Sequence, residues 1–295
     1  MIQLFIYLLL IFIINNLIFK KKIILSNTGF NHQSFANNSI PLTGGIFFLL
    51  PSIYLFSSGY FFFIITYSIL FFLGLLSDLK IFESAKKRFL IQLLIILLFV
   101  IISKLEVTPT KITLVDNLIH NTYWSYFFTT FCLMILINGS NFIDGLNGLF
   151  LGYFCLIIFI LFKLDLIYLI NFSNTDFLYF IIIAFFLLIL NFSNKLFLGD
   201  NGAYSLSFLL GFLLIKIYNY NPNISPYFII LLLWNPCFEN LFSIIRKLIN
   251  KKNPLEPDTE HLHQKIYLLC KKKFNISNLR SNILSSLIIL FFNFL

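Results

Sequence analysis

The chain alternates between long apolar runs and short polar segments, and this alternation constrains its fold more than any other feature. The apolar runs cover residues 2–19, 43–59, 60–76, 88–103, 123–139, 146–162, 177–192, 204–218, 226–244 and 281–295. A helix that spans a membrane needs roughly 20 mostly apolar residues. Charged residues make up 11% of this chain, against about 25% in soluble domains. The pattern predicts an all-α, polytopic membrane helix bundle of about ten transmembrane helices, with residues 1–295 forming a single integral membrane domain.

Lysine and arginine are distributed unevenly between the two sides of this predicted bundle. If the N-terminus lies outside, seventeen of the 21 basic residues fall on inner segments. The outer side then keeps Lys104, Lys111, Lys163 and Lys216. Basic residues concentrate on cytoplasmic loops of membrane proteins, so we predict that both termini lie outside. The same rule explains the net charge of +9 without any binding of nucleic acid.

The unusual polar segments all fall on the predicted cytoplasmic side. They are PLTGG (41–45), Ser77-Asp78 followed by SAKKRFLIQ (84–92), NGSNFIDGLNGL (138–149), FLGDNG (197–202) and PDTEHLHQ (257–264). Polar and ionisable groups at membrane depth are costly and are usually retained for function. We therefore predict one active site at the cytoplasmic face. A plain polar turn between two helices is the alternative for residues 138–149.

Three carboxylates on this face, Asp78, Asp144 and Asp200, follow or precede apolar runs and have small or polar neighbours. Hard cations such as Mg²⁺ take oxygen ligands, typically one or two carboxylates together with substrate phosphates. The basic residues 86–88 begin a predicted helix, where the helix dipole disfavours positive charge. They are interpreted as phosphate partners or, alternatively, as anchors at the membrane surface.

Two further features of the inner segments each allow two interpretations. His261 and His263 favour contacts to a diphosphate, because no third or fourth ligand for zinc is near them in the sequence; a solvated histidine pair is the other interpretation. Pro236 interrupts an apolar run and should kink its helix. Glu239 should then face protein or water, in a functional or a structural role. The four cysteines show no spacing typical of metal sites or disulfides.

The five segments, in this order, resemble the polyprenyl-phosphate N-acetylhexosamine-1-phosphate transferases of glycosyltransferase family 4. This superfamily also holds the phospho-N-acetylmuramoyl-pentapeptide transferase, and the resemblance runs from about Pro41 to His263. It implies transfer of a sugar 1-phosphate, N-acetylhexosamine 1-phosphate, from a UDP-sugar to undecaprenyl phosphate. Uridine monophosphate (UMP) is released, and the product initiates a cell-surface polysaccharide such as O-antigen, capsule or wall polymer.

The resemblance also implies a setting and partners. The enzyme would lie in the bacterial inner membrane as a multi-pass protein with its active site facing the cytoplasm. Its cofactor would be Mg²⁺, and its partners would be undecaprenyl phosphate, a UDP-activated N-acetylhexosamine and the membrane, with no nucleic acid. A homodimer is left open.

Residue roles follow from the same resemblance, position by position. The implied metal ligands are Asp200 and Asn141. The implied catalytic residues are Asp78, Asp144, Lys86, His261 and His263. The implied substrate-binding residues are Gly145, Leu146, Asn147, Phe197 and Asn191.

The chain departs from the family pattern at three positions. Ser77 precedes Asp78 where the family usually has two aspartates, Asn147 replaces a common aspartate, and Thr259 stands where many members have an arginine. Because of these departures, the alternative to an active transferase is an inactive relative of the family. The HLHQ sequence, in place of three consecutive histidines, favours the UDP-N-acetylhexosamine branch over the muramoyl-pentapeptide branch.

A secondary transporter is the alternative from another functional class. Transporters place ionisable residues near the middle of the bilayer, at broken helices in repeated halves. In this chain the carboxylates gather at the predicted cytoplasmic ends of the helices, and no convincing internal repeat is visible. The sequence therefore favours the transferase.

Overall fold

The computed structural model describes residues 2–26, 39–107, 109–170, 172–221, 223–253 and 260–294. Across these ranges the secondary structure is helical, apart from two isolated β-bridges. The helices are α1 (Ile2–Lys21), α2 (Gly44–Phe56), α3 (Phe61–Asp78), α4 (Ala85–Ser103), α5 (Thr113–Ile119), α6 (Thr122–Ile143), α7 (Leu149–Lys163), α8 (Asn174–Phe192), α9 (Gly199–Tyr220), α10 (Pro226–Leu232), α11 (Trp234–Ile249), α12 (Leu262–Phe274) and α13 (Asn278–Asn293), with a 3₁₀ turn at Ile167–Ile170. Each predicted apolar run overlaps a helix, which confirms the all-α prediction.

Fewer helices than expected meet the length and composition of a membrane span. Five of those described do so, namely α1, α3, α6, α8 and α9, and α10 with α11 make a sixth if the pair, bent by 76°, counts as one span. The apolar helices α2 and α7 have 13 and 15 residues. At 1.5 Å per residue they fall short of the roughly 30 Å hydrocarbon thickness. The prediction of about ten transmembrane helices is therefore not confirmed, whereas a bundle with several membrane-capable helices is.

Helix α9 is the centre of the bundle. Its middle, residues 208–215, is apolar on every side, and nearly all residues of the helix are buried, as expected for a helix surrounded by others. Helices α2, α3 and α6 pack around it. The ring of Phe63 stacks on those of Phe212 and Phe208, with centroids 4.5 and 5.3 Å apart. The abundant phenylalanine thus fills the core, while α1 exposes most of its apolar surface.

The PLTGG segment fixes the start of α9. Phe197 N donates to Pro41 O at 2.8 Å, and Gly44 N donates to Phe197 O at 3.0 Å. Gly45 lies so close to the Asn201 side chain that a Cβ atom there would overlap it. Because the chain between α8 and α9 is tied to the start of α2 in this way, the first turn of α9 has a defined position at one end of the bundle.

Candidate functional site

Asp78, the last residue of α3, holds the N-terminus of α9. Its carboxylate accepts hydrogen bonds from Asp200 N (3.0 Å), Asn201 N (3.0 Å) and the Asn201 side-chain amide. A carboxylate at a helix N-terminus is favoured by the helix dipole. Gly199 has φ +78°, a conformation that glycine adopts without steric penalty, and a Cβ there would lie 2.8 Å from Asp78 Oδ2. Asp78 therefore sets the position of Asp200.

The Asp200 carboxylate is the point on which three donors converge. Oδ2 accepts hydrogen bonds from Ser77 Oγ at 2.6 Å, Arg88 Nη1 at 2.9 Å and Tyr204 Oη at 3.3 Å. The Arg88 and Asp200 side chains are 21% and 23% exposed, so the ion pair is open to solvent on one side. The serine in place of a family aspartate thus donates to Asp200 instead of adding negative charge.

Asp144 follows the last turn of α6 and brings a third carboxylate to this end of the bundle. Desolvation, and then the negative charges of Asp200 and Asp78, raise the pKa of Asp144 well above the usual range of an aspartate. The residue is half-buried. Within the part of the chain that the structure describes, its carboxylate receives no hydrogen bond, and Arg88 is the cation in direct contact with the cluster. The result is a centre of three carboxyl groups, in which the Asp144 oxygens receive no hydrogen bond from the described residues.

The donor set of this centre suits magnesium shared with a substrate. No group of three His, Cys, Asp or Glu residues able to enclose a metal occurs among the described residues. Mg²⁺ often needs just one or two carboxylates, with water and substrate phosphates completing its shell. Asp200 and Asp144 supply hard oxygens, and half-buried Asn141 lies on the last turn of α6. The residues present therefore fit an ion held jointly with a phosphate.

All five predicted substrate-binding residues line one small cavity next to this centre. Its lining is Asp144, Gly145, Leu146, Asn147, Asn191, Phe197, Leu198 and Asn282. The cavity therefore joins the segment after α6, the chain between α8 and α9, and helix α13. The role of these residues in substrate binding stays a prediction.

An amide network shapes this cavity. Asn147 N donates to Asn282 Oδ1 at 2.7 Å, and Asn282 Nδ2 donates back to Asn147 Oδ1 at 3.2 Å. Asn147 Nδ2 donates to Asn194 Oδ1 at 2.9 Å, and Asn191 Oδ1 accepts from Gly148 N. The side chains of Asn147 and Asn191, which the resemblance assigns to substrate binding, are thus already engaged in holding the loop. Gly148 immediately precedes α7 and has φ +74°, and a Cβ there would overlap a neighbouring ring.

The two histidines pack against the end of α6. His261 and His263 are 3% and 2% exposed, and their ring centroids are 5.5 Å apart in a stacked arrangement. The Phe142 ring lies 5.0 Å from that of His261, and a Cβ on Gly145 would lie 3.1 Å from His263 Nε2. The histidine pair is therefore adjacent to the Asp144 segment. Thr259, with residues 257 and 258 of the same motif, lies outside the described residues.

Among the three basic residues at the start of α4, Arg88 contacts the Asp200 carboxylate. Lys86 is exposed. Gln92 and Ile96, four and eight residues further on, are buried. Residues four apart share a helix face, so this spacing could have singled out Arg88 from the sequence.

Asn282 was missed by the sequence interpretation, although it lies in a recognised apolar run. Ser285 and Ser286 are also buried on α13. Polar residues spaced by three and four positions mark one face of a helix. That pattern is the sequence signal for a polar, inward face of α13.

Comparisons with known proteins address the same region. The sequence model of glycosyl transferase family 4 matches residues 60–218. Over 202 residues, 66% of this chain, it is 29% identical to the probable undecaprenyl-phosphate N-acetylglucosaminyl 1-phosphate transferase of Bacillus subtilis (strain 168). Over 227 residues, 76% of this chain, it is 30% identical to the undecaprenyl-phosphate alpha-N-acetylglucosaminyl 1-phosphate transferase of Thermotoga maritima. The matched parts cover 54% and 67% of those relatives, so the chain spans about half the length of the first.

Proposed function

The chain belongs to glycosyltransferase family 4, and on that premise we propose that it transfers N-acetylhexosamine 1-phosphate from a UDP-sugar to undecaprenyl phosphate. The product would initiate a cell-surface polysaccharide. The printed names of both relatives specify N-acetylglucosamine, which makes UDP-N-acetylglucosamine the first donor to test. Neither name supports the muramoyl-pentapeptide alternative, and membership of this family leaves the transporter alternative without support.

The observation that carries the proposal is the convergence of polar segments at one end of the bundle. Ser77 and Arg88 reach Asp200 from α3 and α4, and the negative charge of Asp200 helps to raise the pKa of Asp144 at the end of α6. The cavity adjoins Asp144. A carboxyl centre with oxygen ligands for a cation, beside a cavity, supports a reaction between two phosphates, because phosphoryl transfer relies mainly on positioning and on charge neutralisation.

The proposed reaction is one displacement at phosphorus. A phosphate oxygen of undecaprenyl phosphate attacks the phosphorus atom bonded to the sugar. The bond from that phosphorus to the oxygen it shares with the uridine phosphate breaks. UMP leaves with the shared oxygen, and the lipid keeps a diphosphate that carries the sugar. No proton transfer is needed if the attacking phosphate enters ionised.

The roles of individual residues are part of the proposal. Bound by Asp200 and Asn141 together with substrate phosphates, Mg²⁺ would neutralise charge on the phosphate oxygens. Asp78 holds the main chain that carries Asp200 and, with Lys86, acts on the side of the lipid phosphate. His261 and His263 contact the diphosphate. Arg88, paired with Asp200 at 2.9 Å, is a cation that could also contact an incoming phosphate.

Release of UMP by the purified protein tests this function. The protein receives undecaprenyl phosphate, Mg²⁺ and, in separate reactions, UDP-N-acetylglucosamine, UDP-N-acetylgalactosamine and UDP-N-acetylmuramoyl-pentapeptide. We expect UMP and a lipid-linked sugar diphosphate from an N-acetylhexosamine donor, and neither product when the lipid phosphate is omitted. Reaction with the pentapeptide donor alone would move the chain to the other branch. Failure with every donor would identify an inactive relative.

We further propose that the bundle lies in the bacterial inner membrane and that the site faces the cytoplasm, with both termini outside. The seventeen basic residues assigned to the inner side support this orientation. Cysteines introduced at exposed Glu83 and His120 should behave oppositely in intact cells. A membrane-impermeant maleimide should label His120→Cys and leave Glu83→Cys unlabelled until the cells are opened. Labelling of the Glu83 site from outside would reverse the topology.

A further inference from the structure

Two side chains on one face of α4 carry buried N–H groups that have no hydrogen-bond partner among the described residues. These groups are Nε of Arg88 and Nε2 of Gln92. Gln92 is 1% exposed, and the Arg88 side chain is 21% exposed. Buried donors in folded proteins are nearly always paired, because an unpaired one is destabilising. Two unpaired donors one helical turn apart therefore point to a bound group that accepts hydrogen bonds.

Contacts between α4 and α9 place Gln92 close to Asp200. Arg88 Nη1 donates to Asp200 Oδ2 at 2.9 Å. Further along both helices, the ring centroids of Phe99 and Phe208 lie 5.1 Å apart. Gln92 lies between Arg88 and Phe99 on the buried face of α4, so it faces α9 between these two contacts. Side chains in a helix point back toward its N-terminus, which directs the Gln92 amide toward the turn that carries Arg88.

The two donors suit a phosphate group. A guanidinium has five N–H groups in a planar fork, and Asp200 accepts from the one at Nη1. Arginine binds phosphate with parallel hydrogen bonds from one edge of this fork, and the Nε of Arg88 belongs to such an edge. The Gln92 amide adds a neutral donor beside it. The pair thus combines a positive charge with several N–H groups for oxygen atoms.

The position of the pair favours a phosphate that is carried by a lipid. Among the described residues, those that line the cavity beside Asp144 include none from α4. Gln92 lies about 6 Å further along α4 than Arg88, away from the predicted cytoplasmic end of the helix. The opposite face of α4 is apolar and exposed at Leu90, Leu94 and Leu98, as expected for a helix that borders the bilayer.

We propose that Gln92, together with Arg88, binds the phosphate of undecaprenyl phosphate. This inference rests on the proposed function, which supplies that lipid as the acceptor, and it adds Gln92 as a substrate-binding residue. The unpaired amide lowers the stability of the folded chain until a phosphate pairs with it. Binding sites commonly sacrifice stability in this way. One substitution at Gln92 should therefore change stability and lipid binding in opposite directions.

Gln92→Met tests this opposition, because methionine has no hydrogen-bond donor. We expect a higher unfolding temperature and a KM for undecaprenyl phosphate that rises by about 10-fold, the scale of one hydrogen bond to a charged group. The KM for the UDP-sugar should stay unchanged. An unchanged KM for the lipid would overturn the proposal. So would a lower unfolding temperature, because it would show that the amide is paired within the folded protein.

Thr130→Val is the matched control. Thr130 Oγ1 is also buried and lacks a partner among the described residues, but it lies on α6 roughly 20 Å along the helix from Asp144. Removing this hydroxyl should leave both KM values unchanged. A KM for the lipid that rises equally in Thr130→Val would show a general effect of buried polar groups and would overturn the proposal.

Ligand-dependent stability tests the same site without turnover. The unfolding temperature is measured with undecaprenyl phosphate, undecaprenol, inorganic phosphate and UDP-N-acetylglucosamine in separate samples. A ligand that binds the folded state raises this temperature, so the difference between the first two lipids reports the phosphate alone. We expect that difference in the wild type and in Thr130→Val, and a smaller one in Gln92→Met.

The other two ligands identify the source of the phosphate. Equal stabilisation by inorganic phosphate, or a loss in Gln92→Met that is confined to UDP-N-acetylglucosamine, would overturn the assignment to the lipid. A wild-type protein that releases no UMP, yet is stabilised more by undecaprenyl phosphate than by undecaprenol, would refute the transfer reaction and support the phosphate site.

Discussion

Asp200→Asn is expected to reduce turnover by at least about 10³-fold, the upper range for removing one preorganised electrostatic group from an active site. The amide still accepts a hydrogen bond from Ser77 Oγ, so the start of α9 keeps its neighbour on that side. The substitution removes the negative charge that pairs with Arg88 at 2.9 Å. It also removes the carboxylate that the proposed function assigns to Mg²⁺. Initial rates of UMP release at saturating lipid phosphate measure the effect.

Two further variants make this result specific. Asp165→Asn is the matched control, because Asp165 is exposed and has φ +53°, a conformation that asparagine tolerates well. It should retain wild-type turnover. Ser77→Ala removes one neutral donor to Asp200 and should lower turnover by less than about 10-fold, since one such hydrogen bond contributes about 1 kcal/mol. Near-normal activity of Asp200→Asn, with an unchanged unfolding temperature, would remove Asp200 from the mechanism.

The sequence was sufficient to predict which segments meet, because polar segments are easily distinguished within a mostly apolar chain. In a chain that is 59% hydrophobic, a segment such as residues 138–149 or 197–202 has few structural reasons to be polar. Membrane helices bring their ends to two planes, so polar segments at the same predicted plane are close in space. The contacts from Ser77 and Arg88 to Asp200 show this convergence at atomic detail.

Which side chains face a ligand and which ones build the cavity could not be predicted from the sequence, because this depends on tertiary hydrogen bonds. Asn147 is a suitable ligand for a nucleotide base by type, yet its amide is shared with Asn282 and Asn194. Asn282 comes from α13, 135 positions along the chain, and no spacing rule connects it with Asn147. A list of motif residues therefore mixes side chains that face a ligand with side chains that build the cavity.

The number of membrane spans could also not be predicted from the sequence. Apolar runs such as 43–59 were counted as spans, but the corresponding helix α2 ends at Phe56 and has 13 residues. Similarly, the run 226–244 is divided into α10 and α11, which bend by 76° relative to each other. Hydropathy reports that a segment avoids water, and it does not report whether the helix is long enough or straight enough to cross a bilayer.

Asp78→Asn is expected to reduce turnover by at least about 10²-fold, the scale of loss when catalytic groups are slightly misplaced, and also to lower stability. The Asp78 carboxylate accepts from two main-chain N–H groups, of Asp200 and Asn201, and from the Asn201 amide. An asparagine keeps one oxygen, so its NH₂ group must face one of these donors. A buried donor left unpaired costs about 1–3 kcal/mol, and the first turn of α9 should shift together with Asp200.

Measuring both quantities separates the two roles that Asp78 can have. A residue that acts solely on the lipid phosphate would lose turnover at an unchanged unfolding temperature. A residue that positions α9 loses both, and we expect this second outcome from the three hydrogen bonds. Asp176→Asn is the matched control, because Asp176 lies in the first turn of α8 and accepts a hydrogen bond from Ser173 Oγ at 2.6 Å. It should lower the unfolding temperature slightly and leave turnover unchanged. Wild-type turnover in Asp78→Asn would mean that the helix start tolerates an amide and that Asp78 has neither role.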